Sequence, residues 1–131
     1  MMYFEPEHSP WGQVDHCETI CSGVYSVSIP SHGGITIRSD RAAEILSPSA
    51  HRIGFWEHGY LCFEEDCDAP VALRELMDRG LMDAQVNNHF APGKYSRIID
   101  ESLQRWHPKY WDDHKKGLTT PKPKQSKECE R

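Results

Sequence analysis

Long hydrophobic runs are absent from this sequence. No apolar stretch approaches the roughly 20 residues that a helix needs to cross a bilayer, so we expect no contact with a membrane. The first residues, MMYFEPEHSPWG, are acidic and lack the basic start and the apolar stretch of a signal peptide. We therefore expect a cytoplasmic protein that is not exported by that route.

Paired cysteine motifs are also absent. The sequence has five cysteines, an odd number, and no CxxC pair, so we expect reduced thiols rather than disulfides. Cys17 and Cys21 would lie about 13 Å apart on one strand, which is too far for both to bind a single zinc ion. We therefore expect no structural zinc site unless a turn at residues 21–23 brings the two thiols together.

Several enzyme signatures are missing as well. The sequence contains no phosphate-binding loop, dinucleotide fingerprint, nucleophile elbow or helix with paired histidines. These absences argue against nucleotide-dependent enzymes, serine hydrolases of the elbow type and zinc proteases of the paired-histidine type. We favour a non-enzymatic protein without a cofactor, although one hypothesis below would add a divalent metal ion.

Charge is unevenly distributed along the chain. The net charge is −5, but residues 115–131 contain six basic and two acidic residues, whereas residues 1–114 contain 9 basic and 18 acidic ones. The acidic body repels nucleic acid, and the basic tail would make a weak contact with a phosphate backbone. The plainer interpretation is a soluble body with a solvated end. The Thr, Pro, Lys, Gln and Ser of residues 115–131 predict a flexible tail.

Alternation of apolar and polar residues predicts an antiparallel sheet. Residues 24–29 place Tyr25, Val27 and Ile29 on one face and smaller or polar residues on the other. Further strands are predicted over residues 13–20, 35–38 and 60–63. Helices are predicted over residues 41–46, from Asp68 to Gly80 and from Pro92-Gly93 to Trp106, with Asp40 and Asp68 as N-caps.

These elements predict an α+β fold, in which a three- to four-stranded antiparallel sheet packs against two or three helices. Residues 1–12 are predicted to form an N-terminal arm and residues 13–114 a single globular domain. The four Trp, five Tyr and four Phe supply enough apolar surface for one core. We expect core packing, rather than nucleic-acid stacking, for six aromatic side chains: Trp11, Phe55, Trp56, Trp106, Tyr110 and Trp111.

The segment Ser31-His32-Gly33-Gly34 connects two predicted strands and is the first candidate site. Its glycines permit positive φ angles and would leave open space beside the His32 imidazole. A histidine in such a place would act as a general base or as a metal ligand. The alternative is that Gly33 and Gly34 simply form the hairpin turn and that His32 has no role.

The second candidate site is the acidic run from Glu64 to Asp68, where a strand passes into a helix. Four carboxylates in five residues repel one another unless they are solvated, paired or bound to a cation. The helix N-terminus alone would account for Asp66 and Asp68. If Glu65 meets His32 across the sheet, the two form an oriented acid–base or metal site. The catalytic candidates are His32, Glu64, Glu65 and Asp66, and the binding candidates are Glu64, Glu65, Asp66 and Asp68.

Four short motifs occur in a fixed order along the chain. They are Pro10-Trp11-Gly12, Ser31-His32-Gly33-Gly34, Phe63 to Asp68, and Trp106-His107-Pro108. Over residues 9–113, their order and spacing resemble a small uncharacterised family of plasmid, integrative-element and phage proteins of proteobacteria. The resemblance implies an accessory gene of a mobile element, a class that often counters host defence. It implies no particular activity, but it adds weight to the histidine loop and the acidic run.

Three hypotheses of function follow. In the first, the protein binds and inhibits a host defence complex, of the CRISPR or restriction type, and its acidic face covers a nucleic-acid-binding surface. In the second, it is a small metal-assisted or acid–base hydrolase that uses His32 with Glu64, Glu65 or Asp66. In the third, the basic tail binds nucleic acid. The sequence leaves the oligomeric state open, with a homodimer as one alternative.

Overall fold

Seven strands form two antiparallel sheets in the computed structural model, which describes residues 5–120. The strands are β1 (His8–Ser9), β2 (Gly12–Gln13), β3 (His16–Cys21), β4 (Val24–Ser28), β5 (Gly33–Arg38), β6 (Phe55–Glu57) and β7 (Tyr60–Glu64). The large sheet has the order β3-β4-β5-β7-β6, and β1 pairs with β2 in a small separate sheet. The α+β class is confirmed, but the main sheet has five strands rather than three or four.

The strand predicted over residues 13–20 is interrupted. Val14 N donates a hydrogen bond to Glu7 O, within the N-terminal hairpin, whereas Asp15 N donates to Ser28 O at the edge of the large sheet. The chain therefore leaves β2 and enters β3 between these two residues. The strand predicted over residues 24–29 is confirmed as β4, Val24–Ser28. Its apolar face, with Tyr25 and Val27, is buried on the side opposite to the core, and Val24 on the other face contributes to the core.

Five helices accompany the sheets within residues 5–120, rather than the two or three predicted. They are α1 (Ser39–Ile45), α2 (Pro48–Ile53), α3 (Ala69–Asp78), α4 (Lys94–Trp106) and α5 (Pro108–Lys115). The prediction that residues 50–59 are irregular is wrong, since they contain most of α2 and all of β6. Ser47 caps α2 by accepting a hydrogen bond from Ala50 N at 3.1 Å, and Pro48 occupies the first helical position.

One face of the large sheet packs against the helices and forms the core. From β4, β5 and β7 it contributes Val24, Ile35, Ile37, Leu61 and Phe63. Apolar side chains from the helical side complete it: Ala42, Ile45, Leu46, Ala50, Ala69, Val71, Ala72, Leu76, Ile99, Leu103 and Tyr110. Burial of this apolar surface is the main stabilising contribution to the fold.

The opposite face of the sheet carries Tyr25, Thr36 and Cys62, which are register neighbours on β4, β5 and β7 and are all buried. Residues 6–11 of the predicted N-terminal arm lie against this face. We refer to it as the arm-covered face. Trp11 packs directly on Gly34 there.

Only the start of the predicted basic tail is described, since residues 121–131 lie outside the described part of the chain. Within that part, α5 continues to Lys115 and Thr119 is fully buried. Arg79 Nη2 donates a hydrogen bond of 2.9 Å to Thr119 O. No helix within residues 5–120 is long and apolar enough to cross a membrane.

Candidate functional site

Residues 64–68, which we term the acidic turn, connect β7 to α3. Asp68 N donates to Glu64 O at 3.0 Å, and Val71 N donates to Asp68 O at 2.9 Å, so the backbone passes directly from strand to helix. Glu65 and Asp66 are exposed, whereas Glu64 is half-buried. The charge of this segment is therefore presented mainly by Glu65 and Asp66.

The acidic turn is joined to the histidine loop through the backbone. Glu65 N donates a hydrogen bond of 3.0 Å to Gly33 O, one residue after His32. A Cβ built on Gly33 would lie 3.3 Å from Glu65 Oε2, so this carboxylate lies over the glycine. The two candidate segments are thus neighbours, as the sequence hypothesis required.

The His32 imidazole itself does not pair with the carboxylates. His32 is exposed, and its carbonyl oxygen accepts a hydrogen bond from Ile29 N. Within residues 5–120, no hydrogen bond or ion pair joins its ring to Glu64, Glu65 or Asp66, and no three His, Cys, Asp or Glu side chains are grouped closely enough to hold a metal ion. The structure therefore brings the two backbones together without forming an acid–base pair.

Gly33 and Gly34 serve close packing rather than an open loop. Both lie in β5, and neither has a positive φ angle. A Cβ on Gly34 would stand 2.5 Å from Cη2 of Trp11 and would collide with the Phe63 carbonyl oxygen. The expectation of positive φ angles at the two glycines is wrong, and each glycine is packed against a side chain, Gly33 against Glu65 and Gly34 against Trp11.

The acidic turn is also joined to the Trp106-His107-Pro108 motif. His107 Nε2 lies 2.9 Å from Asp68 Oδ1 and 3.1 Å from Cys67 O. Because both partners are acceptors, Nε2 carries the proton and donates it. Asp68 was predicted as a helix cap. It does occupy the N-cap position of α3, but its carboxylate makes no capping hydrogen bond and instead pairs with His107.

Cys67, between these carboxylates, is not an activated nucleophile. Partial burial raises the pKa of its thiol, and the negative charges of Glu64, Asp68 and Asp66 raise it further. The thiolate is the reactive form of cysteine, and these surroundings disfavour it at neutral pH.

A pocket of about 320 Å³ lies beside His107, between α2 and the α4–α5 junction. Ser49, on its wall, donates a hydrogen bond of 2.9 Å to Asp113 Oδ2 and accepts one of 3.0 Å from Arg52 Nη2. Within the described residues no hydrogen bond connects Ser49 to His107. The pocket therefore contains a serine, a histidine and an aspartate, the residue types of a serine hydrolase, but it lacks the hydrogen bond from histidine to serine that would activate the hydroxyl.

The most deeply buried charge of the described chain is Glu75 on α3, which is 0% exposed. Its carboxylate accepts hydrogen bonds from Ser47 N at 2.7 Å, Ser47 Oγ at 2.5 Å and Tyr110 OH at 2.6 Å, and Arg79 Nη1 lies 3.5 Å away. Burial and the charge of Glu75 raise the pKa of the Tyr110 hydroxyl. This satisfied network holds α2, α3 and α5 together and has a structural role.

The sequence hypotheses missed both His107 and Glu75, although each leaves a signal. His107 belongs to a motif that was noted only for its order. Glu75 falls on the buried stripe of α3 with Val71, Ala72 and Leu76, at helical spacing. A charged residue on an apolar stripe indicates a buried polar partner elsewhere in the chain.

Several aromatic side chains are exposed, contrary to the expectation of core packing. Phe55 is 40%, Trp56 54% and Trp106 51% exposed, whereas Tyr110 is buried as predicted. The rings of Trp11 and Phe55 meet edge to face, with centroids 6.2 Å apart. Trp11 therefore connects exposed Phe55 to Gly34, the register partner of Glu64.

Comparison with known proteins gives one family. The family described as "Domain of unknown function (DUF7007)" matches residues 4–131, which is nearly the whole chain. No curated protein and no solved structure matches the sequence.

Proposed function

We propose that this chain, which belongs to the family of the Domain of unknown function DUF7007, is a non-enzymatic protein that binds and inhibits a host defence complex of the CRISPR or restriction type. The observation that carries the proposal is the anchoring of the acidic turn. Glu65 N is bonded to Gly33 O on one side and Asp68 to His107 on the other, while the carboxylates of Glu65 and Asp66 are exposed. A pre-ordered charge cluster loses little conformational entropy on binding.

Phe55 is 40% exposed, and the half-buried Trp11 links it to Gly34, the register partner of Glu64; this aromatic contact near the acidic turn supports a protein partner. We define the acidic–aromatic surface as Trp11, Phe55, Glu64, Glu65 and Asp66. Trp11, Phe55 and Glu64 lie on the arm-covered face, whereas the Glu65 carboxylate lies over Gly33, on the other face at the end of β7. Aromatic anchors beside charged groups are typical of protein–protein interfaces.

The charge of this surface favours a basic partner. Host proteins that bind DNA or RNA present basic surfaces to the phosphate backbone. An acidic protein surface bound to such a basic surface would compete with the nucleic acid. The accessory-gene setting implied by the sequence motifs supports a partner of this kind. Asp68 differs from its neighbours, because its pairing with His107 makes it an anchor of the turn rather than a contact residue.

The proposal is tested by affinity capture from a bacterial host with active defence systems, using a tagged chain and mass spectrometry. We expect stoichiometric recovery of a nucleic-acid-binding defence complex, and inhibition of that complex when the purified components are mixed. The His32→Ala variant serves as the control, since a binding protein retains both properties without this imidazole. Absence of any such complex, or capture without inhibition, would contradict the proposal.

A second candidate function is the hydrolase that uses His32 with Glu64, Glu65 or Asp66. One observation favours it, namely the position of Glu65 Oε2 over Gly33, next to His32. An acid–base pair or a partial metal site would form if the two side chains turned toward each other. NMR titration of the His32 ring with and without Mg²⁺, Mn²⁺ or Zn²⁺ tests it. A metal-dependent shift at His32, together with loss of function in His32→Ala, would favour the enzyme.

A further inference from the structure

A second pocket, of about 410 Å³, lies between residues 6–10 of the arm and the arm-covered face of the sheet. Its floor includes Thr36 on β5 and Cys62 on β7, which are register partners. Its other walls include Glu57, His58 and Tyr60. Small-molecule sites in proteins have volumes of about 300–1,000 Å³ and usually apolar walls with a few polar groups.

The floor of this pocket carries a buried hydroxyl without a partner. Thr36 is 2% exposed, and its Oγ1 atom makes no hydrogen bond. The hydroxyl of Tyr25, the register partner of Thr36 on β4, is buried and unpartnered as well. Buried hydroxyls are nearly always hydrogen-bonded, because their desolvation is otherwise uncompensated. The Thr36 hydroxyl, at the floor of the pocket, is therefore available to a polar group bound there.

The pocket also carries negative charge. Its lining residues include two carboxylates, Glu7 and Glu57, and contain neither Lys nor Arg. The only ion-pair partner of Glu57 in the described chain is the highly exposed His58, at 3.3 Å. Carboxylates beside a partly apolar pocket attract a cation and repel an anion.

We propose that this pocket binds a small aromatic or aliphatic amine. The ammonium group pairs with Glu57 and Glu7, the apolar body fills the space between the arm and the sheet, and a neutral polar group hydrogen-bonds to Thr36. This site shares no residue with the acidic–aromatic surface, although both include part of the arm-covered face, and it extends the proposed function with a ligand-binding one. Occupancy of the pocket would also fix the arm against the sheet, because residues 6–10 form one of its walls.

Three matched probes test the proposal on the full chain: tyramine, 4-hydroxyphenylacetate, in which a carboxylate replaces the amine, and 2-phenylethylamine, which lacks the hydroxyl. Binding is followed by amide chemical shifts in a titration. We expect saturable binding of tyramine with a dissociation constant of about 1 mM or lower, with shifts at Thr36 and Cys62. The anion is expected to bind at least about tenfold more weakly and 2-phenylethylamine several-fold more weakly.

Two variants localise the binding. Thr36→Val and Glu57→Gln are each expected to weaken tyramine binding about tenfold, whereas the exposed control Thr120→Val leaves it unchanged. Thr36→Val removes an unpartnered hydroxyl at constant shape, so the variant is expected to fold and to be at least as stable as the wild type. Three results would overturn the proposal: no saturation at about 10 mM tyramine, equal binding of the anion, or wild-type affinity in both variants.

Discussion

His107 Nε2 donates a hydrogen bond to Asp68 Oδ1 at 2.9 Å, and this contact joins the start of α3 to the junction of α4 and α5. The two residues are 39 positions apart in sequence. Their side chains are 19% and 25% exposed, so the contact lies at the border of the core and the surface. It holds one end of the acidic turn, and the backbone bond from Glu65 to Gly33 holds the other.

A double-mutant cycle measures this contact. His107→Ala and Asp68→Ala are each expected to lower the free energy of unfolding by about 1 to 2 kcal/mol, with a coupling energy of about 1 kcal/mol between them. Urea unfolding of the wild type, the two single variants and the double variant provides these free energies. His58→Asn is the control, because the His58–Glu57 pair is exposed and is expected to contribute less than about 0.5 kcal/mol. A coupling energy near zero would show that the pair does not anchor the turn.

Gly34→Ala tests the close approach of Trp11 to the sheet. The added Cβ would collide with Trp11 and with the Phe63 carbonyl oxygen, so we expect a loss of at least about 3 kcal/mol in the free energy of unfolding. Gly80→Ala is the matched control. It has open space around it but a φ of +72°, and its expected loss is about 1 kcal/mol. Similar losses in the two variants would contradict the packing role of Gly34.

Tyr110→Phe tests the network around Glu75. The change removes one of the donors to a fully buried carboxylate, and we expect a loss of about 1 to 3 kcal/mol. Thermal and urea unfolding measure this loss in the free energy of unfolding. Tyr95→Phe is the control, since the half-buried Tyr95 hydroxyl makes no hydrogen bond within residues 5–120. Equal stability of both variants would show that the Glu75 network contributes nothing.

The pH dependence of stability tests the burial of Cys62. Burial, followed by the negative charge of Glu57, raises the pKa of this thiol from an ordinary value of 9.0 to about 12. The folded state therefore binds the proton more tightly, and the contribution of Cys62 to stability is complete below about pH 9 and is lost as pH rises toward 12. We expect stability to fall less steeply between about pH 9 and 11 in Cys62→Ala than in the wild type. Parallel curves of stability against pH for the wild type and Cys62→Ala would contradict this contribution of the buried thiol.

Four strands of the large sheet and the longer helices could be predicted from the sequence because their signals are local, whereas β6 was missed. The alternation in β4 and the glycine before α4 both depend on neighbouring residues. The short helix α2 could not be predicted in this way. It has six residues, and Ser47 at its N-cap is held by Glu75, 28 positions away. Non-local hydrogen bonds of this kind leave no periodic pattern in the segment that they stabilise.

The candidate site could be predicted only in part for the same reason. The sequence indicated that the histidine loop and the acidic run would be close, and the Glu65–Gly33 backbone bond brings them together. The orientation of side chains depends on packing that the sequence does not display. Trp11 fills the space beside Gly34, and His107 donates a hydrogen bond to the carboxylate of Asp68.

The central claim is that the exposed carboxylates of the acidic turn bind a basic surface of a defence complex. The most direct measurement is the affinity of that complex for three chains: the wild type, Glu65→Lys/Asp66→Lys, and the control Asp83→Lys/Glu101→Lys. The control reverses two exposed acidic residues elsewhere and makes the same change in net charge. We expect the acidic-turn variant to lose at least about a hundredfold in affinity, with the control within about fivefold of the wild type. Equal losses in both variants, or none in either, would contradict the claim.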